Sequence, residues 1–140
     1  MYLLDTNVIS ELRKARSSQA DPQVLQWTRG VAAPQLYMSI ISVLELEMGV
    51  LRIERRDARQ GALLRTWLEQ QVLRNFHDRI LAVDVPVARR CAQLHIPNPC
   101  SDRDALIAAT ALIHGMTLVT RNTHDFLSSG ALLLNPWLAG

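Results

Sequence analysis

The sequence predicts an α/β fold in one domain, residues 1–140: a central parallel sheet with helices on both faces. Three observations predict it. Short apolar runs alternate with longer segments whose apolar residues recur at helical spacing, the order expected of repeated strand–helix units. The runs are largely apolar throughout, as strands covered on both faces must be. No internal repeat or low-complexity run divides the 140 residues, and a chain of that length buries about 70% of its unfolded surface on folding.

Tyr2 to Leu4 is too short for a helix and reads as a buried strand that halts at Asp5 and turns into a helix from Asn7 to Arg13. Ser17 to Pro22 is a connecting loop, Val24 to Arg29 a short helix, and Leu36 to Ile41 a second strand. Ser42 opens a helix that runs past Gly49. From Asp57 to Phe76, apolar residues at Leu63, Leu64, Trp67, Leu68 and Val72 mark one buried helical stripe. Ile80 to Val83 is a third strand, Pro86 suits the first turn of a helix ending near His95, and Pro97 and Pro99 break the chain. A helix from Ser101 to Gly115, a strand from Met116 to Thr120, a short turn and a last strand from Ala131 to Leu134 complete the order.

Apolar residues make up 49% of the chain and charged ones 20%, a globular composition that argues against disorder. No stretch approaches the ~18 uninterrupted apolar residues of a membrane span, and no basic segment precedes an apolar one at the N-terminus. The expectation is a soluble, cytoplasmic protein. A net charge of +2 permits a polyanionic partner without demanding one. Cys91 and Cys100 lack neighbours that would complete a four-ligand metal spacing and read as free thiols.

Sites in parallel sheets lie beyond the carboxyl ends of the strands, and four acids fall at such ends. Asp5 follows the first strand; Glu45 lies one turn into the helix of "SVLELEMG"; Asp104 lies one turn into the helix of "SDRDALIAATALIHG"; Asp125 follows "MTLVT" across the turn "RNTH". Each also has a purely structural reading. Asp5 or Thr6 could cap the first helix, Ser42 with Glu45 and Ser101 with Asp104 fit capping boxes, and Asp125 could brace a turn. Joint placement separates the two readings, because a cap gains nothing from sharing an edge with other acids. Carboxylates ~4 Å apart repel by about 4 kcal/mol per pair at an effective dielectric of 20, so a shared edge needs a compensating charge. Hard divalent cations, Mg²⁺ or Mn²⁺, suit such oxygen ligands. His77, His95, His114 and His124 are scattered, and only His124 falls near this edge.

The stretches "LLDTNVISEL", "SVLELEMG", "DALIAATAL" and "TLVTRNTHDF" stand in the order and spacing of the PIN-domain family, and the chain most closely resembles the VapC or FitB-like toxins of bacterial type II toxin–antitoxin pairs. The resemblance spans essentially the whole chain. It implies that Asp5, Glu45, Asp104 and Asp125 bind metal, with Thr6 and Asn7 as the polar pair after the first acid and Thr120 and Asn122 as the polar residues before the last. It further implies a ribonuclease needing Mg²⁺ or Mn²⁺, a homodimer or higher assembly, and inhibition by a small antitoxin. Asp102 departs from the pattern. Two helical positions turn a side chain by about 200°, so Asp102 and Asp104 cannot face one metal on a regular helix, and Asp102 reads as a favourable charge at the helix N-terminus.

The chemistry expected is hydrolysis of an RNA phosphodiester by cation-assisted attack of water, without a Ser, Cys or His nucleophile. Arg103 and Arg121 adjoin proposed ligands and are candidates to gather RNA, with Arg13, Lys14 and Arg16 extending the track or serving as surface charge. The helix around Trp67 and the segment Val24 to Trp27 are candidates for a second copy or an antitoxin helix, against core packing as the simpler reading. Three rival functions remain: a DNA-directed nuclease with the same site, a non-catalytic acidic pocket, and an aspartyl phosphotransferase, disfavoured because the place of its second acid is Asn7.

Overall fold

The computed structural model describes residues 1–16 and 19–138. Five strands, β1 (Tyr2–Leu4), β2 (Leu36–Ser39), β3 (Ile80–Leu81), β4 (Thr117–Val119) and β5 (Leu133–Leu134), form a parallel sheet in the order β3-β2-β1-β4-β5. The chain moves outward from β1 to β3, then crosses back to add β4 on the other side of β1. That reversal places a crevice at the carboxyl ends of β1 and β4, where Leu4 stands opposite Val119.

Alternation along the short strands assigns the two faces. Leu4, Met38 and Val119 point to one side, against Val8 and Ile9 of α1 (Thr6–Leu12), Leu46 and Val50 of α3 (Ile40–Arg56), and Leu68 and Val72. Leu3 and Leu118 point to the other side, against Ile107, Ala108 and Ala111 of α7 (Asp102–His114) and Phe126 of α8 (Thr123–Phe126). A third cluster, Val87, Cys91, Ala105 and Ala109, fastens α6 (Val85–Leu94) to α7. The sheet is therefore covered on both faces, as predicted. Trp27 of α2 (Pro22–Arg29) packs edge-on against Tyr2 at 5.1 Å, which makes that segment part of the monomer's own packing.

Several boundaries differ from the sequence expectation. The second strand ends at Ser39, whose hydroxyl accepts the Ile41 N–H at 3.0 Å and starts α3 two residues before Ser42. β-branched Ile40 and Ile41 read as strand, yet the cap decides. The expected helix from Asp57 to Phe76 is three pieces: α4 (Ala58–Trp67), a wide π-turn over Leu68–Val72, and a short α5 (Leu73–Asn75). Asp57 closes α3 and caps α4, and Gly61 then runs so near α3 that a Cβ there would meet Glu54 Cα at 2.5 Å. The predicted short turn before the last strand contains α8 and a 3₁₀ turn, Leu127–Ser129. Part of the expected loop from Ser17 lies outside the described residues.

Candidate active site

Asp5 occupies the crevice between β1 and β4. Its backbone N–H continues the ladder to Val119 O at 2.9 Å, and its side chain turns inward at the start of α1, 5% exposed. One carboxylate oxygen accepts the Thr6 N–H at 2.8 Å; the other accepts the Thr120 hydroxyl at 2.7 Å and the Asn7 amide at 3.3 Å. Asp5 is thus a helix cap, as one reading held, and its second oxygen also ties β1 to the end of β4. Asn7 reinforces the tie, since its carbonyl accepts the Arg121 N–H at 3.3 Å. Thr120, fully buried, accepts the Asn122 N–H at 3.0 Å. This web accounts for Asn7 standing where an aspartyl phosphotransferase would carry its second acid.

Glu45 reaches the same place from the second turn of α3. Its Oε1 lies 2.6 Å from the Thr6 hydroxyl, which also lies 2.9 Å from the buried Ser42 hydroxyl. With one hydrogen to give, Thr6 donates to the carboxylate and accepts from Ser42. Ser42 is therefore no cap for Glu45; it is a positioning residue that the sequence reading missed. The signal was available, because Ser42 and Glu45 are three apart and share a helix face.

Asp104 sits in the first turn of α7, half-buried, and Ser101 before it makes no capping bond, so the second expected capping box does not form either. Asp125 stands exposed on α8. Electrostatics bind the four acids into a group. Burial, the largest cause, pushes the Asp5 carboxyl up to about 6 against the pull of the Thr120 and Thr6 bonds, with Asp104 and Glu45 adding to the rise. Burial also pushes Asp104 up, followed by repulsion from Glu45 and Asp125, with Arg103 opposing. Arg103 lies 3.7 Å from Glu45 and 3.5 Å from the Met48 sulfur.

The described residues bring no three acids, histidines or cysteines into a closed cage for a cation. Instead Asp5 is held by its donors, Glu45 by Thr6 and Arg103, and Asp104 and Asp125 stand beside them. The four acids offer only hard carboxylate oxygens, under mutual repulsion, the chemistry that a divalent cation relieves. Asp102 is apart from this group: its side chain is 89% exposed and lies 3.3 Å from His95 Nε2. Arg121 stacks its guanidinium over Trp137 at 5.2 Å, and Lys14 pairs with Glu11 at 3.3 Å; the side chain of Arg16 is outside the description. Glu11, a buried acid that sequence reading passed over, also accepts the Asp21 N–H at 2.8 Å and secures the turn before α2.

The Toxin FitB of Neisseria gonorrhoeae is 36% identical to this chain, over 98% of this chain and 99% of that protein. A VapC ribonuclease of Sinorhizobium fredii is 37% identical, over 98% of each. Among solved structures, FitAcB from Neisseria gonorrhoeae superposes with a TM-score of 0.88 at 36% identity, covering 99% of both chains. A profile of the PIN domain matches residues 2–128, which takes in all four acids and the first four strands. On the match of sequence and fold together, the chain belongs to the PIN-domain family.

Proposed function

We propose that this chain is a metal-dependent ribonuclease, the toxin of a type II toxin–antitoxin pair, in which Asp5, Glu45, Asp104 and Asp125 hold Mg²⁺ or Mn²⁺. One observation carries the reading: acids from four separate segments share one sheet edge, and Asp5 and Asp104 are pushed up in part by the others. The names of the FitB and VapC relatives support it. Bound among those acids, a divalent ion would neutralise phosphate charge and acidify water.

The chain's own groups do the positioning. Thr6 aims Glu45, and Thr120 and Asn7 fix Asp5 with Asn122 anchoring the loop beyond. Arg103, beside Glu45, and Arg121, stacked over Trp137, supply positive charge for the phosphates that carboxylates alone would repel. A groove of about 570 Å³ between α1, α3 and α4 opens onto Thr6 and Glu45, floored by Leu46, Val50 and Trp67 and edged by arginines. Its shape suits an amphipathic antitoxin helix. The reading includes a single domain over residues 1–140, a homodimer and a cytoplasmic site of action; no helix among the described residues is long and apolar enough to cross a membrane.

The test is cleavage of RNA, single-stranded DNA and duplex DNA side by side with Mg²⁺ or Mn²⁺. Wild type is expected to cut RNA and to stop when EDTA is added, while Asp5→Asn is folded and inactive. Undiminished cleavage by Asp5→Asn would refute the assignment, and preference for DNA would move the site to the rival nuclease reading.

A further inference from the structure

A second polar cluster lies where the loop after α6 returns to the start of α7. Cys100 is exposed, with Sγ 3.7 Å from both His95 Nδ1 and the Leu94 carbonyl, between which its thiol hydrogen can turn, and its backbone N–H donates to the same nitrogen at 3.2 Å. A nitrogen that accepts carries no hydrogen, so in the neutral ring the hydrogen sits on Nε2, which faces Asp102 Oδ1 at 3.3 Å. Thiol, imidazole and carboxylate therefore follow one another as nucleophile, base and the group that orients the base. Cys100 also lines a cavity of about 340 Å³ shared with Ser101, Ser128, Asp104 and Asp125.

The second thiol has the opposite setting. Cys91 is buried on α6, 4.0 Å from His95 Nε2, the nitrogen that carries the hydrogen. Burial, then Cys100 and Asp102, pushes the Cys91 thiol up and keeps it protonated.

We propose that Cys100 is a thiol–disulfide exchange site for low-molecular-weight disulfides, with His95 as its proton acceptor and Asp102 as the residue that orients His95. The Cys100 proton passes to Nδ1, which releases the backbone N–H contact while it holds that proton. The thiolate attacks one sulfur of the disulfide, the S–S bond breaks, and a bond forms to Cys100 Sγ. The departing thiolate takes the proton from His95 and leaves as a thiol. Cys100 is oxidised and half of the disulfide is reduced, so atoms and electrons balance. The adduct stands in the wall of the cavity that Asp104 and Asp125 share, and it narrows the approach to both.

The probe is glutathione disulfide, and the readout is intact mass with peptide mapping, which needs no nuclease activity. Folded protein is expected to gain one glutathionyl group on Cys100, about a hundredfold faster than either cysteine reacts in the urea-unfolded chain, the lower end of what a positioned base supplies. His95→Gln should bring the folded rate down to that of the unfolded chain. Asp102→Asn should slow the folded reaction severalfold with the unfolding midpoint unchanged, and Asp102→Glu should restore the rate, which a merely structural role would not do. Labelling of Cys91 in preference, or a folded Cys100 no faster than the unfolded chain, would overturn the proposal.

Discussion

At pH 8 and without metal, Asp5→Asn is expected to make the protein more stable. The Asp5 carboxyl stands at about 6 against its ordinary 3.8. At ~1.4 kcal/mol per pH unit, ionising it costs the folded state about 3 kcal/mol. Because the folded chain holds this proton more tightly than the unfolded one, the associated stability is fully present below about pH 4 and is lost as pH rises through about 6. Asparagine cannot ionise. It keeps an acceptor for the Thr6 N–H but sets an amide against the Asn7 donor and the Thr120 hydroxyl, which can turn to accept, leaving a mismatch of about 1 kcal/mol. The net change is a gain of about 2 kcal/mol at pH 8 and a loss of about 1 kcal/mol at pH 4. Urea unfolding of both proteins in EDTA at the two pH values measures it. Equal destabilisation at both would leave Asp5 with its cap role alone and refute the argument from buried repulsion.

Gly61→Ala should lower stability by about 2 kcal/mol, since its Cβ would meet Glu54 Cα at 2.5 Å and force α3 and α4 apart; a thermal midpoint equal to that of wild type would show that the hairpin yields. Arg103→Ala should weaken RNA binding and reduce the slope of log affinity against log salt by about one, measured by filter binding at several salt concentrations, whereas an unchanged slope would remove Arg103 from the phosphate track.

Much of the fold was legible because its strands are short apolar runs ending in turn-forming or polar residues, and Tyr2 to Leu4 followed by Asp5 is the clearest of them. What escaped was decided by contacts rather than by pattern. Ser39 and Ser42 are the same residue type near the same boundary, and only the hydrogen bond to Ile41 shows which one caps α3. α8 has four residues, too few to show periodicity, so Asp125 read as a turn residue. The four acids were legible as positions at one sheet edge. Their separate tethers, Thr120 and Asn7 on Asp5 and Thr6 on Glu45, depend on side-chain directions that no spacing encodes. Likewise, Cys100 and His95 meet because the loop holding Pro97 and Pro99 folds back on α6, and residues five apart outside a helix carry no such signal.

The most direct measurement is a crystal grown with Mn²⁺ and examined by anomalous diffraction. A peak bounded by Asp5, Glu45, Asp104 and Asp125, absent from Asp5→Asn crystals, is the predicted result. Manganese bound only elsewhere, or none at saturating concentration with the four acids in place, would contradict the account.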